Sequence, residues 1–173
     1  MIVLGAGTLS LLYIMYLAWR ILKEDEGTDR MKEISSYIRE GASAYMKRQY
    51  TVIAIIIAII SISIGVFVGP LVALAYAIGA TCSASTGFIG LYIAVRSNAR
   101  TANAARTKGL GKALDIAFKG GSVLGFAVVG IGVLGIIAVF MLYGGLDSVR
   151  AVDVVNEVVG FSFGASTVAL FAR

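Results

Sequence analysis

Few side chains of this sequence could do chemistry, and most of the standard catalytic arrangements are missing. The chain has no histidine, which removes imidazole-based acid–base catalysis and leaves a serine nucleophile without its usual partner. Its ten Asp and Glu residues are scattered, without the pairing that metal-assisted hydrolysis requires. We therefore predict no catalytic residue, no metal ligand and no cofactor-binding residue within the chain.

Two glycine-rich motifs are similar to nucleotide-binding sequences, but their surroundings argue against such sites. Gly130–Gly135 fits the pattern GxGxxG, yet it lies inside an apolar run, with no strand before it and no acidic partner after it. Gly109–Lys112 is similar to the end of a phosphate-binding loop. Arg106 stands where that motif needs Gly, however, and Ala113 stands where it needs Ser or Thr.

Arg173 is the residue for which we predict a function. It follows the apolar segment Val168–Ala172 directly, with no turn signal between them. An Arg at membrane depth is costly unless it faces a polar interior and pairs with a carboxylate. Within residues 154–173, the apolar stretch that ends with Arg173, Glu157 is the only carboxylate. The alternative interpretation is an ordinary basic residue that reaches the cytoplasmic interface at the end of a span.

The elements that position this residue are membrane helices. The chain is 58% hydrophobic and 14% charged, whereas soluble proteins are about 25% charged. A spanning helix needs about 20 predominantly apolar residues, and the sequence predicts a single all-α transmembrane domain over 1–173. Its predicted spans are 2–19, 51–68, 71–95, 121–143 and 154–173, with Gly69-Pro70 as a tight turn.

The distribution of basic residues predicts the orientation. Of the fifteen Lys and Arg residues, thirteen fall within the segments 20–50 and 96–120. Because cytoplasmic segments carry the excess of basic residues, both segments are predicted to be cytoplasmic and the N-terminus to lie outside. The same rule accounts for the net charge of +5, so we predict no nucleic-acid partner.

Local patterns add detail to the polar segments and to the spans. From Arg30, apolar residues recur at helical spacing, which predicts an amphipathic helix that continues into the second span, with Thr28 or Asp29 as its N-cap. Residues 108–112 are predicted to form a turn. Gly121–Gly125 and Gly160–Gly164 each form a GxxxG motif, which is typical of close contact between membrane helices.

Three extended blocks carry a resemblance to a known family. The chain resembles the membrane-bound, ion-pumping pyrophosphatases, and the blocks follow in that family's order and spacing. They are residues 27–50 (GTDRMKEISSYIREGASAYMKRQY), 100–135 (RTANAARTKGLGKALDIAFKGGSVLGFAVVGIGVLG) and 160–173 (GFSFGASTVALFAR).

The resemblance implies a homodimeric enzyme of the cell membrane, with two concentric rings of helices in each subunit. It implies Mg2+-dependent hydrolysis of pyrophosphate coupled to outward transport of H+ or Na+, and leaves a need for K+ open. Spans one to four would belong to the outer ring. Arg173 would be the gate residue of the ion pathway, and Phe163, Ser166 and Leu170 would line that pathway on the same helix face.

The chain departs from the family pattern at its C-terminal end. The family's substrate-binding sequence begins just after the position of Arg173, so Mg2+ and pyrophosphate would be bound by residues outside this chain. The sequence therefore predicts an N-terminal fragment that is inactive by itself and has the lipid bilayer and the remainder of the pump as partners. The alternative is a small membrane scaffold or binding protein without catalytic activity.

Overall fold

The computed structural model describes residues 2–144 and 154–172, and these residues form an all-α structure. Five helices contain nearly all of them and are joined by short connections. In chain order the helices are α1 (Ile2–Leu22), α2 (Asp29–Phe67), α3 (Pro70–Lys108), α4 (Leu110–Leu142) and α5 (Val155–Phe171). The all-α class predicted from the sequence is confirmed.

The helix ends lie at residues suited to them. Thr28 is the N-cap of α2, because its Oγ1 accepts a hydrogen bond from the backbone N–H of Met31 at 3.4 Å. Pro70 occupies the first turn of α3, where its missing N–H costs no helical hydrogen bond. Gly109 alone separates α3 from α4, with φ 85° and ψ 173°, a conformation that essentially only glycine adopts.

α2 continues without a break from its charged N-terminal half into its apolar half, as the sequence predicts. The cytoplasmic segments predicted at 20–50 and 96–120 are therefore helical for most of their length. The helices extend beyond the apolar runs. The charged residues therefore lie on rigid helical segments outside those runs. The charged ends of different helices are thereby placed side by side.

α3 is the central helix, with α2, α4 and α5 packed around it, while α1 packs mainly against α4. The largest buried cluster joins Leu17 and Ile21 of α1 to Ile93 of α3 and to Val123 and Ala127 of α4. A second cluster places Phe161 of α5 against Ala75 of α3 and Val139 of α4. These contacts fix the relative depth of the four helices that take part in them.

The outer surface of this bundle is apolar. α1, α2, α3 and α4 are each long and apolar enough to cross a membrane, and α5 is a shorter apolar helix. Ile59, Ile62 and Val66 of α2 are among the large apolar side chains left exposed, which is the expected surface of a protein whose solvent is lipid. The chain is a polytopic membrane protein, and the limits of its spans stay predictions.

Candidate functional site

The face of α5 that was predicted to line an ion pathway is left uncovered by the described part of the chain. Phe163, Ser166 and Leu170 are exposed, whereas Gly160, Gly164 and other residues of the opposite face are buried. The structure thus brings the three predicted residues onto one face, and their role stays a prediction. Arg173 lies outside the described residues.

α5 is held against α3 by glycines that allow the two backbones to touch. A Cβ atom added at Gly164 would collide with the backbone carbonyl of Tyr76, and one added at Gly79 would collide with the carbonyl of Phe161. At Gly160 an added Cβ would lie 2.9 Å from the carbonyl oxygen of Val72. The GxxxG motif at 160–164 is therefore a helix contact, as predicted.

The second GxxxG motif has a different environment. Nothing in the described part of the chain lies within 4 Å of a Cβ atom added at Gly121 or Gly125. On α4 the close contacts are made by other glycines: Gly120 meets Ser97, and Gly130 meets Ser10. The expectation that 121–125 contacts another helix is therefore not met within these helices.

Side chains of α2 bind the last carbonyl groups of α5. The Tyr45 hydroxyl donates to the carbonyl of Ala172 at 3.3 Å, and Gln49 Nε2 donates to the carbonyl of Phe171. The final carbonyls of a helix have no partner within the helix, so these bonds satisfy them. The end of α5 is thereby fixed where α2 changes from charged to apolar sequence. Ala172 also borders a mainly apolar groove of about 420 Å³ between α2, α3 and α4.

A cluster of charged side chains, which we call the charged cluster, surrounds the connection between α1 and α2. Glu24 pairs with Lys108 at the end of α3, at 3.1 Å, and with Lys112 at the start of α4, at 2.5 Å. Glu26 pairs with Arg39 of α2 at 3.1 Å and with Arg100 of α3 at 2.9 Å. Two carboxylates of one short connection therefore link three other helices.

Arg100 is the buried centre of this cluster and is only 8% exposed. Its guanidinium group donates to the backbone carbonyls of Leu22, Glu24 and Arg96 at 3.3, 3.0 and 2.6 Å. A buried guanidinium needs partners for its fixed fork of N–H groups; the last residue of α1, Leu22, supplies one of them, and Glu24 of the following connection supplies another. Arg100 therefore also satisfies a carbonyl group that α1 leaves open.

Asp25, in the same connection, accepts hydrogen bonds from two uncharged donors. Its side chain accepts hydrogen bonds from the backbone N–H of Gly27 at 3.1 Å and from Asn103 Nδ2 at 3.2 Å. Gly27 has φ 94°, and a Cβ atom there would lie 2.9 Å from Asn103 Cγ. The turn needs glycine for its backbone conformation and for the space that Asn103 occupies.

These contacts stabilise the charged forms of the groups. The hydrogen bond from Lys112 lowers the pKa of Glu24 below its ordinary value of 4.5, although partial burial acts in the opposite direction. The pKa of Lys112 is raised above 10.5 by the same hydrogen bond. The hydrogen bond from Gly27 lowers the pKa of Asp25. Each of these shifts favours the charged form of Glu24, Asp25 or Lys112 at neutral pH.

The donor set of the charged cluster does not fit a magnesium ion. Mg2+ is bound by carboxylates and by substrate phosphates that keep a near-octahedral shell of oxygen atoms, whereas Glu24 and Glu26 are each occupied by two basic side chains. Within 2–144 and 154–172, no group of three Asp, Glu, Cys or His residues could hold a metal ion.

Comparison with known proteins shows the family to which the chain belongs. The family model described as inorganic H+ pyrophosphatase matches residues 8–173. The chain belongs to this family. The resemblance seen in the three sequence blocks is thereby confirmed.

Relatives of this chain carry the names of ion pumps. It is 49% identical over 170 residues to the K(+)-insensitive pyrophosphate-energized proton pump of Methanosarcina mazei, covering 97% of this chain and 24% of that protein. It is 41% identical over 173 residues to a proton pump of the same description, numbered 2, from Moorella thermoacetica, covering 99% of this chain and 25% of that protein.

A relative with a different cargo is also similar. The K(+)-stimulated pyrophosphate-energized sodium pump of Thermotoga maritima is 36% identical over 167 residues, covering 88% of this chain and 23% of that protein. The chain therefore spans about a quarter of the length of the curated relatives it matches.

Sequence reasoning missed the charged cluster. The helical spacing of Arg96, Arg100 and Asn103 predicts that they share one helix face, but this spacing indicates no partners for them. The available signal was the run Glu24-Asp25-Glu26, three carboxylates inside a segment otherwise rich in basic residues. Such a run is expected to pair with nearby cations, but only the packing of the helices shows which ones.

Proposed function

We propose that this chain is the part of a pyrophosphate-energised ion pump that supplies outer membrane helices and one wall of the ion pathway. The complete pump would hydrolyse pyrophosphate with Mg2+ and move H+ or Na+ out of the cell. The observation that carries this proposal is the family match over residues 8–173, together with relatives named as pumps.

The substrate site of the pump would lie on residues outside this chain. The carboxylates that cluster at the cytoplasmic end are engaged by Lys and Arg, and such ion pairs hold helices together more readily than they hold a metal. The chain by itself is therefore expected to show no pyrophosphatase activity. K+ dependence and dimer formation would likewise be properties of the complete pump.

The pathway wall would be the uncovered face of α5 with Phe163, Ser166 and Leu170, and Arg173 would follow it as the gate. This assignment is supported by the exposure of the three side chains and by the hydrogen bonds from α2 that fix the end of α5. A basic side chain at this position would need an acidic partner from another helix of the pump.

A chimera tests the proposal directly. The matching quarter of the Methanosarcina mazei pump would be replaced with this chain, and hydrolysis and ion transport would be measured in membrane vesicles. We expect both activities in the chimera and neither with the chain alone. A chimera that folds but neither hydrolyses nor pumps would contradict the proposal and favour a non-catalytic scaffold. Robust Mg2+-dependent turnover by the chain alone would contradict the assignment of the substrate site to other residues.

The gate is tested in the same chimera. Arg173→Gln removes the charge and is expected to lower ion transport by more than it lowers hydrolysis, while Arg173→Lys keeps the charge and should retain part of the transport. Equal transport per pyrophosphate in Arg173→Gln and the parent chimera would exclude a gating role. Phe171→Leu changes an exposed apolar side chain of the same helix that is not assigned to the pathway, and it is the control for a change of packing.

The orientation is tested by labelling with a maleimide that does not cross membranes. Cys82, the only cysteine, would be replaced with Ala, and single cysteines would be placed at Val68 and Lys108. With the N-terminus outside, Val68→Cys should react in intact cells and Lys108→Cys only in inverted vesicles. The reverse pattern would overturn the proposed orientation.

A further inference from the structure

Three basic side chains lie over aromatic rings at the cytoplasmic ends of α1 and α3. The guanidinium carbon of Arg20 is 5.8 Å from the ring centre of Tyr16, and Lys23 Nζ is 4.9 Å from the ring centre of Trp19. The guanidinium carbon of Arg96 is 3.4 Å from the ring centre of Tyr92. Each aromatic residue precedes its cation by one helical turn, so every pair has the ring on the membrane side.

Among the described cations that have no carboxylate partner, these three are the ones that lie over an aromatic ring. Arg39, Arg100, Lys108 and Lys112 are each paired with Glu24 or Glu26. Arg20 instead donates to the Tyr16 hydroxyl at 3.2 Å, and Arg96 donates to the carbonyl of Tyr92 at 3.1 Å. Their positive charge therefore remains open to an external anion.

The three pairs lie at one depth. Leu17 and Ile21 of α1 share a buried cluster with Ile93 of α3. One turn beyond Arg96, the Arg100 side chain donates to the carbonyl of Leu22. The aromatic rings therefore occupy the last apolar turn of each helix, and the cations occupy the first charged turn.

This layer has the chemistry of the cytoplasmic membrane interface. Tyr16, Trp19 and Tyr92 are 48%, 57% and 39% exposed, and Tyr and Trp are enriched at the depth of lipid headgroups. A basic residue near an anionic membrane surface contributes about 1 kcal/mol of attraction. An ammonium or guanidinium group held above an aromatic ring is positioned to donate to a phosphate oxygen while an acyl chain lies along the ring.

We propose that Arg20, Lys23 and Arg96, with the aromatic rings beneath them, bind the phosphate headgroups of anionic phospholipids of the cytoplasmic leaflet. Lipid phosphates would neutralise these three cations, as Glu24 and Glu26 neutralise the cations of the charged cluster. The site is independent of hydrolysis, because it involves neither the α5 face nor a metal.

The test uses the purified chimeric pump in detergent with added phosphatidylglycerol or phosphatidylcholine. Native mass spectrometry counts the bound lipids, and thermal unfolding measures stabilisation. We expect phosphatidylglycerol to bind and to raise the unfolding temperature more than phosphatidylcholine. Each cation removed should weaken apparent affinity for phosphatidylglycerol about fivefold, the factor that corresponds to about 1 kcal/mol.

Matched double variants separate this site from general charge. Arg20→Gln with Lys23→Gln should lose bound phosphatidylglycerol, whereas Arg30→Gln with Lys32→Gln removes the same residue types from exposed pairs with Glu33 and Asp29 and should retain it. Arg20→Lys with Lys23→Arg keeps the charge and should restore binding. Arg96→Gln tests the α3 pair separately and serves where the double variant does not fold.

Three results would overturn the proposal. They are unchanged phosphatidylglycerol binding in the Arg20 and Lys23 double variant and in Arg96→Gln, an equal loss in the Arg30 and Lys32 variant, and equal stabilisation by inorganic phosphate. The last result would show a site for a free anion. A folded chimera without pyrophosphatase activity would still give a lipid result, so failure of the proposed function is distinguishable from failure of this inference.

Discussion

The guanidinium group of Arg100 lies 2.9 Å from the carboxylate of Glu26. Arg100 belongs to the central helix α3, and Glu26 belongs to the connection that leaves α1 and enters α2. The same guanidinium group binds the carbonyls of Leu22 and Glu24. One buried side chain therefore ties the end of α1 and the start of α2 to the middle of the bundle.

Replacing Arg100 should be the most disruptive change within the charged cluster. Arg100→Gln leaves Glu26 and two carbonyls without their buried donor, and hydrogen bonds to charged groups contribute about 1.5–3 kcal/mol. We expect a clear fall in unfolding temperature in detergent, and a smaller fall for Arg100→Lys, which cannot donate in a planar fork.

The control for this experiment is Arg30→Gln. Arg30 pairs with Glu33, and these side chains are 73% and 45% exposed. Exposed pairs of this kind contribute about 0–1 kcal/mol, so the unfolding temperature should change little. Equal effects of Arg100→Gln and Arg30→Gln would show that the buried position of Arg100 has no special role.

Gly109 and Gly111 provide a matched test of backbone conformation. An added Cβ atom meets nothing within 4 Å at either position, so packing does not distinguish them. Gly109 has φ 85° and ψ 173°, for which a residue other than glycine costs about 1–3 kcal/mol. Gly109→Ala should destabilise the chain by that amount in thermal unfolding.

Gly111 lies inside α4, where alanine is favoured over glycine by about 1 kcal/mol. Gly111→Ala should therefore leave the unfolding temperature unchanged or raise it. A destabilising Gly111→Ala combined with a neutral Gly109→Ala would contradict the turn described between α3 and α4.

Gly79 tests the contact between α3 and α5. Alanine at this position collides with the backbone carbonyl of Phe161, which cannot rotate away as a side chain would. Overpacking of this kind costs about 1–3 kcal/mol or more, so Gly79→Ala should lower the unfolding temperature. An unchanged temperature would show that α5 does not pack on α3 at this distance.

Gly125 tests a contact with helices outside this chain, because no described residue packs against it. Nothing in the described residues lies near an added Cβ atom there, so Gly125→Ala should be tolerated in the isolated chain. If the glycine face at 121–125 contacts another helix of the pump, the same substitution should lower the unfolding temperature of the chimera. Tolerance in both would indicate that lipid covers this face.

The pH dependence of stability follows from Glu24 and Lys112. The folded-state pKa of Glu24 is lowered by Lys112, so its contribution is complete above the ordinary carboxylate range and is lost as pH falls through the lowered value. The raised pKa of Lys112 gives a contribution that is complete below about pH 10.4 and is lost as pH rises through the raised value. The unfolding temperature should therefore be flat around neutral pH with respect to this pair.

Glu24→Gln is the measurement that isolates this effect. The variant should have a lower unfolding temperature than the parent at neutral pH, and the difference should shrink toward acid as the parent carboxylate becomes protonated. A constant difference from acid to neutral pH would show that the ion pairs of Glu24 do not contribute. Asp115→Gln is unsuitable as a neutral control because the hydrogen bond from Lys119 lowers the pKa of Asp115.

The sequence alone determined the class of this protein, the turns and the approximate course of its helices. An apolar run consists of consecutive residues, and Thr28, Gly69-Pro70 and Gly109 determine the backbone conformation next to them. The resemblance of three sequence blocks was also enough to indicate the family. These features depend on local chemistry or on residue order, and both can be read without knowing which helices touch.

Only the tertiary structure decided which distant residues meet. Gly121–Gly125 and Gly160–Gly164 have the same motif, yet only the second contacts another helix within the described chain, because helix rotation determines which face is covered. Likewise, the sequence contains several basic residues that could pair with Glu24 and Glu26. Their partners, including Lys112 and Arg100, were fixed by the packing of α1, α3 and α4, which brings the charged ends of separate helices within hydrogen-bonding distance.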